Sequence, residues 1–377
     1  MNRFIQLHLL TAYPPANLNR DDMGSPKTAK MGGYDRLRVS SQCLKRTWRT
    51  SDNFAEALEG HIGTRTKAMG SKAYQQMIDK GITHKKALEW TQPIASVFGK
   101  LKQLSKKEKE ALKKLPADSA ERIKKELVEL EIEQLAFYDT QEEQAILNLA
   151  NAIAEREEEA NAEELNLLRQ KVTDVDIALF GRMLTKSDTG NSLTKYCIEA
   201  ACQVAHAISV HPIVIEDDYF TAVDDLNNGQ EDTGAAHIGE TRFAAGLFYS
   251  YICINRELLI DNLGGDEALA NKAIRALTEA AVKVAPEGKQ NSFASRAYAS
   301  YVLAEQGNQQ PRSLSVAYLK PINNRENQDF ITDSITALIN QRDNFDKVYG
   351  ACADSHYQIN ASKVEGSLSE LLDFVSQ

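Results

Sequence analysis

Cysteine is scarce in this 377-residue chain, and the five present are scattered: Cys43, Cys197, Cys202, Cys253 and Cys352. An odd, dispersed set forms no disulfide framework, which argues against a stapled secreted protein and for a reducing, cytoplasmic setting. No apolar run reaches the roughly 18 residues of a membrane span, so no membrane partner is expected. The apolar start is broken by Gln6 and His8, which suits a strand better than a signal peptide. There is no G-x-x-x-x-G-K-[ST] phosphate loop, no H-E-x-x-H and no C-x-x-C. Internal repeats and low-complexity tracts are missing as well. Cys197 and Cys202 stand five apart on an expected helix and do not share a face, and His206 and His211 have no third ligand nearby. Both pairs read as structural, and neither a metal nor a cofactor is expected.

What is present is an uneven charge. The chain carries 44 Lys and Arg against 53 Asp and Glu, a net −9. The first 50 residues hold nine cations and three anions, a balance of +6 that leaves −15 for the remainder. The stretch RLRVSSQCLKRTWRT, residues 36–50, contains no acidic residue. A local positive face on an acidic body holds phosphates while discouraging indiscriminate binding elsewhere. Leu37 and Val39 alternate inward with Arg36 and Arg38 outward, and Ser40 and Ser41 stand where a helix N-cap belongs. Helical spacing then gives Cys43, Leu44, Thr47 and Trp48 one face, with Lys45, Arg46 and Arg49 to one side. Lys45 and Arg49 are four apart and share a face. A helix N-terminus attracts phosphate, and Lys27 and Lys30 in the preceding loop can close over the same backbone.

Residues 4–10 have the alternation of a half-buried strand, followed by a long Pro-, Asn- and Gly-rich loop through Gly33. Residues 56–170 are rich in Ala, Leu, Glu, Lys and Gln and read as an α-helical subdomain. Its charge runs are solvated faces, with a break at Pro116 and a cap at Asp118 or Ser119. Residues 192–210 read as helical, then partly extended. A polar Gly-containing stretch from Asp217 to Phe243 suits a protruding hairpin. Residues 244–254 read as a long strand, 265–285 as a helix, 313–319 as a strand, and 326–345 and 366–376 as closing helices. With the helical block excised, strands and helices alternate as in a split βαβ, ferredoxin-like unit. Three carboxylate pairs, Asp21-Asp22, Asp174/Asp176 and Asp224-Asp225, have the chemistry to hold Mg²⁺ in a nuclease, although loop aspartates more often cap and turn.

LNRDDM (18–23), MGG (31–33) and RVSSQCLKR (38–46), followed by DIALFGRM (176–183), FTAVDDL (220–226), AHIG (236–239) and GLFYSYICIN, resemble the backbone subunit of the type I-E CRISPR surveillance complex, Cascade. The resemblance implies an α+β chain with an RRM-like palm (1–55 and 241–377), an α-helical fingers insertion (56–198) and a β-hairpin thumb (199–240). It implies copies stacked along one guide RNA in a helical filament, with other Cascade subunits as partners and target DNA reached through the guide, in antiviral defence. Ser40, Gln42, Lys45, Arg46 and Arg49 match palm positions that contact the guide backbone, with Lys27 in the matching loop. Met183 and Phe220, with Thr221 beside it, match the residues that wedge a kinked nucleotide. A non-catalytic subunit is expected. The alternative is a metal-dependent ribonuclease subunit of type III kind, with Asp224 and Asp225 as suspects.

Overall fold

The computed structural model of the protein describes residues 2–116, 119–184, 192–222, 237–323 and 329–377. The chain divides into two compact units. The first comprises Met1–Ala57, Cys202–Glu257 and Asn271–Gln377, and the second Leu58–Ala201 with Leu258–Ala270. Among the described residues eleven strands follow in chain order: β1 Phe4–Ala16, β2 Thr28–Met31, β3 Tyr34–Val39, β4 Thr64–Thr66, β5 Ala136–Tyr138, β6 Cys202–Val204, β7 Ala207–Ser209, β8 Glu216–Ala222, β9 His237–Asn255, β10 Ala299–Gly307 and β11 Ser355–Asn360. Among the described residues no helix is long and apolar enough to cross a membrane.

In the first unit nine strands form a mixed-length antiparallel sheet in the order β11-β10-β1-β9-β7-β3-β2, with β6 and β8 also paired to β9. β1 lies between β9 and β10, and this overturns the half-buried reading: every residue from Ile5 to Thr11 is buried. It also runs to Ala16, beyond the expected strand, and its pairing with β9 shifts register between Tyr13 and Ala16, where Pro14 and Pro15 cannot donate to the ladder. One face of β1 is apolar, Ile5, Leu7 and Leu9. The other carries Gln6 and His8, and burial there is tolerated because both are paired. His8 Nδ1 meets the Tyr249 hydroxyl at 2.8 Å and its Nε2 meets Glu305 at 3.1 Å. The ionised Glu305 can only accept, so His8, kept neutral by burial, carries its proton on Nε2, and its Nδ1 accepts from the Tyr249 hydroxyl, which itself accepts from the Leu314 amide at 3.0 Å. Glu305 takes a bidentate pair from Arg312. Gln6 Oε1 accepts from the Arg312 amide and the Tyr251 hydroxyl, both at 2.8 Å. The Phe330–Tyr349 helix and the turn Ser315–Tyr318 cover this face through Ile335, Leu338, Leu314 and Tyr318.

Two segments depart from the sequence reading for one reason, competition for the sheet. Residues 192–210 hold only a 3₁₀ turn, Thr194–Tyr196, before β6 and β7 pair with β9. Cys202 is therefore on a strand, not on a helix with Cys197. Residues 313–319 form the Ser315–Tyr318 turn rather than a strand, because the edge next to β10 is taken by β11. Part of the expected loop after β1 is β2, paired with β3. The remaining loop is tied by Asn17, which donates to the carbonyls of Gly24 and Arg242, and by Asp21, which accepts from the amides of Met23 and Ser25. Asp21 is thus a turn residue.

The second unit packs helices Met69–Asp79, His84–Ser96 and Thr140–Arg156 around Met77, Trp90, Phe98, Tyr138 and Ile146. Segment Leu258–Ala270 belongs to this unit. The Lys106–Lys113 helix is capped by Ser105 and exposes all but Leu112, a solvated face. Ser119 caps Ala120–Glu126, and the alternative cap, Asp118, lies outside the described residues. Asp139 caps Thr140–Arg156 and also accepts from the amides of Thr173 and Asp174, while Asp174 accepts from the Thr140 amide and hydroxyl. Asp176 accepts from the amides of Gly63 and Ile177. Asp174 and Asp176 are both fully buried, so they pin loops and are not placed to meet a solvated Mg²⁺. Burial and the neighbouring Asp139 push the Asp174 carboxyl up to about 6. Glu142 and Arg182 form a fully buried ion pair at 2.6 Å.

Burial by itself would raise the Glu305 carboxyl, but hydrogen bonds from His8 and Arg312 outweigh it and hold the group at about 2, against an ordinary 4.5. A depressed carboxylate contributes stability above its unfolded value and loses it as pH falls toward the folded one. Glu305→Gln is therefore expected to cost up to about 3–5 kcal/mol at neutral pH, because the buried Arg312 loses its bidentate carboxylate and keeps only the longer contact to Asp346 at 3.5 Å. It should also flatten the loss of stability between pH 4.5 and about 2. Denaturant melts of both proteins across that window test this, and an unchanged slope refutes it.

Candidate nucleic-acid interface

The acid-free stretch folds as β3 followed by the helix Ser41–Arg49. Ser40 caps it, accepting from the Cys43 amide, and is itself placed by donating its own amide to Asn19 Oδ1 at 2.9 Å. Leu44, Thr47 and Trp48 are buried, as the spacing predicts, and the helix packs beside β6. Gln42 and Arg46 are exposed, and Lys45 and Arg49 are half-buried at the helix margin. Arg46 and Arg49 occupy the last turn, where cations complement the helix dipole. The buried face fixes the helix, and packing thereby turns the cationic face outward.

Two expectations about this segment need correction. Arg36 does not face outward: it is fully buried. Its guanidinium donates to the carbonyls of Ser209 at 3.1 Å and Tyr318 at 2.8 Å, fastening β3 to β7 and to the 315–318 turn. Burial lowers its pKa from the ordinary arginine value. The helix N-terminus is also less open than expected. The Cys43 amide goes to Ser40 Oγ, the Leu44 amide to the Ser40 carbonyl and the Ser41 amide to His206 Nδ1 at 2.8 Å. Burial, then the charges of Arg38 and Lys27, lower the His206 pKa and keep it neutral, able to accept. Its role was missed in sequence because a lone histidine 165 positions away carries no local signal.

Those same charges place Lys27 and Arg38 near the start of the helix. Lys27 is half-buried, with its amide bonded to the Asn19 carbonyl and its carbonyl accepting from the Arg38 amide, both at 2.8 Å. Lys30 instead pairs with Asp35 at 3.0 Å on the β2–β3 hairpin.

The outer half of β9 pairs with β8 in seven registered positions, from Glu216 opposite Phe243 to Ala222 opposite His237. Every residue of β8 is exposed, so the ribbon has two open faces. Phe220 is 43% exposed and stands opposite Gly239. Its ring occupies the space a Gly239 side chain would need: an added Cβ would lie 2.4 Å from Phe220 Cζ. Thr221 follows, exposed, and Tyr219 is 65% exposed on the opposite face of the strand. Asp224 and Asp225 lie outside the described residues. Met183 is 76% exposed in the second unit, one residue past the Arg182–Ile198 bridge. Gly181 before it has φ +82°, and an added Cβ would meet the Ile198 carbonyl at 3.0 Å, so only glycine turns the chain there.

The fold matches chains of two solved complexes. A chain of a CRISPR RNA-guided surveillance complex described as pre-nicking matches with a TM-score of 0.79 and 23% identity over 99% of each chain. A chain of a second CRISPR RNA-guided surveillance complex matches with a TM-score of 0.56 and 21% identity over 99% of this chain and 98% of that one. The model of the CT1975-like protein family matches residues 5–373, and the chain belongs to that family. Comparison with curated proteins gave no match.

Arg36→Ala is expected to cost about 2–4 kcal/mol, since it leaves buried carbonyls unpaired, whereas exposed Arg46→Ala should stay within about 0.5 kcal/mol. Phe220→Ala should cost far less than the roughly 3–5 kcal/mol of a core phenylalanine. Thermal or urea melts of the three variants check these values; a Phe220→Ala loss in the core range would show that the ring serves stability.

Proposed function

We propose that this chain is a guide-RNA-binding backbone subunit of a Cascade-type CRISPR effector, of type I-E kind. The observation that carries the reading is the Ser41–Arg49 helix: its apolar side is buried, and its other side carries Lys45, Arg46 and Arg49 within a stretch, residues 36–50, that has no acidic residue. Lys27, Ser40, Gln42, Lys45, Arg46 and Arg49 form the backbone-contacting track, holding phosphates without reading bases. Lys45 and Arg49 reach phosphate oxygens as point charge and fork, and Ser40 acts by setting the helix start. The sheet of the first unit serves as the RRM-like palm, the second unit as fingers and the β8–β9 ribbon as thumb. Phe220 and Thr221 on the ribbon, with Met183 on the fingers, wedge the guide so that it kinks at regular intervals. Further copies continue the track as a filament, other Cascade subunits complete the complex, and target DNA is read by pairing with the guide. The matches to chains of CRISPR RNA-guided surveillance complexes support this reading.

The chain is proposed to be non-catalytic. Asp174 and Asp176 are occupied by backbone amides inside the second unit, which removes one carboxylate pair from the nuclease alternative.

The test is binding of single-stranded RNA at several salt concentrations. Lys45→Ala with Arg49→Ala should weaken binding equally for unrelated sequences and lower the slope of log K against log salt by roughly 0.7 per lost phosphate contact. An unchanged slope would falsify the track. Incubating the assembled complex with complementary RNA and Mg²⁺ should give no periodic cuts; cleavage abolished by Asp224→Ala or Asp225→Ala would establish the ribonuclease reading instead.

A further inference from the structure

A cavity of about 700 Å³ opens in the first unit between residues 50–53, which directly follow the basic helix, and residues 283–298, which lead into β10. The size is that of sites for small organic ligands. Its lining carries no excess of cations: Lys283, itself paired with Glu279 at 2.7 Å, and Arg296 stand against Asp52 and Glu287, with the Gln290 amide between Glu287 and Arg296 in sequence. Tyr298 stands at this wall with 67% of its surface exposed, an aromatic side chain without a core to fill.

The wall is held in a costly conformation. Lys289 and Ala294, neither of them glycine, adopt left-handed φ of +47° and +50° on either side of the short helix Gln290–Phe293. Such strain persists only where the surroundings over-determine it, and here they do. Gly288 lies so close to the Leu18 carbonyl that an added Cβ would sit 2.2 Å from it. Lys289 Nζ donates to Thr241 Oγ1 at 2.6 Å, and the Phe293 ring packs 6.0 Å from that of Phe243. The loop is thereby pinned to β1's exit and to the ribbon's base, and the cavity it borders is preformed.

A phosphate is a poor occupant, because two carboxylates offset the two cations. Carboxylates accept hydrogen bonds, however, and an aromatic ring stacks on any base. A ribose supplies hydroxyl donors, and the 2′-hydroxyl is what RNA has and DNA lacks. We infer that this cavity takes the nucleoside part of a single-stranded RNA residue, with its base on Tyr298 and its ribose hydroxyls donating to Asp52 and Glu287. Its adjoining phosphate then falls toward Arg49, one residue before the cavity wall begins. The site makes the track selective for RNA over DNA, and this rests on the RNA-binding reading above.

The experiment measures binding of one sequence, as single-stranded RNA and as single-stranded DNA, to the full chain at fixed salt. Wild type should prefer RNA. Tyr298→Ala should weaken both by about 5- to 100-fold. Asp52→Ala with Glu287→Ala should bring the RNA-to-DNA affinity ratio toward one; the accompanying change of charge acts on both strands alike and cancels in that ratio. RNA carrying 4-thiouridine should crosslink to the peptide containing Tyr298. Thermal melts confirm that these surface variants stay folded. Unchanged affinity, ratio and crosslink position in the variants, with Lys45→Ala/Arg49→Ala still losing RNA, overturns the cavity and leaves the track standing. Failure of wild type to bind RNA at all overturns both.

Discussion

The register of β9 against β1 is the constraint on which the rest of the first unit depends. β1 is buried on both faces, so its polar side chains must find partners inside the protein or cost several kcal/mol each. Gln6 and His8 meet Tyr251, Tyr249, Glu305 and the Arg312 amide, and the observed registers of β9 and β10 bring these partners within hydrogen-bond distance. A slip by one residue would turn each of these groups toward the apolar face. β9 has nineteen residues. Its inner part is fixed by β1, and its outer part is therefore fixed too, which sets where Gly239 and its partner Phe220 stand on the ribbon.

The basic helix is positioned by the same sheet through different contacts. Arg36 ties β3 to β7, and β7 is paired to β9. His206, in the short turn between β6 and β7, accepts from the first amide of the helix. A cation expected to face outward, Arg36, and a histidine, His206, are spent on holding the scaffold, and the cations that remain outward are those further along the segment. This division explains how a strongly positive segment coexists with a stable sheet: the buried guanidinium donates through its two terminal nitrogens to carbonyl oxygens, and the others keep their contact with solvent.

Polar pairs bring order to the second unit as well. Asp139 and Asp174 each hold amides belonging to the other's segment, and Glu142 joins the start of Thr140–Arg156 to Arg182. Arg182 comes between Gly181, which permits the turn, and Met183, which is left exposed. The motif GRM thus combines a backbone requirement, a buried charge and a solvent-facing apolar side chain in three consecutive residues.

Local pattern was enough to read the Ser41–Arg49 helix, its cap and its buried face, because helical spacing and N-cap chemistry are properties of nearest neighbours. The long strand β9, the helical character of residues 56–170 and the closing helices were legible for the same reason. Tertiary structure alone decided that Arg36 points inward, that residues 313–319 turn rather than extend, and that the partly extended end of 192–210 becomes two strands, Cys202–Val204 and Ala207–Ser209, paired with β9. Each of these depends on which sheet edge is free and which carbonyls lie within reach; the two carbonyls that hold Arg36 are 173 and 282 positions distant in sequence. The charge of a residue is written in the sequence; whether that charge meets solvent or a buried carbonyl is settled only when the chain has folded around it.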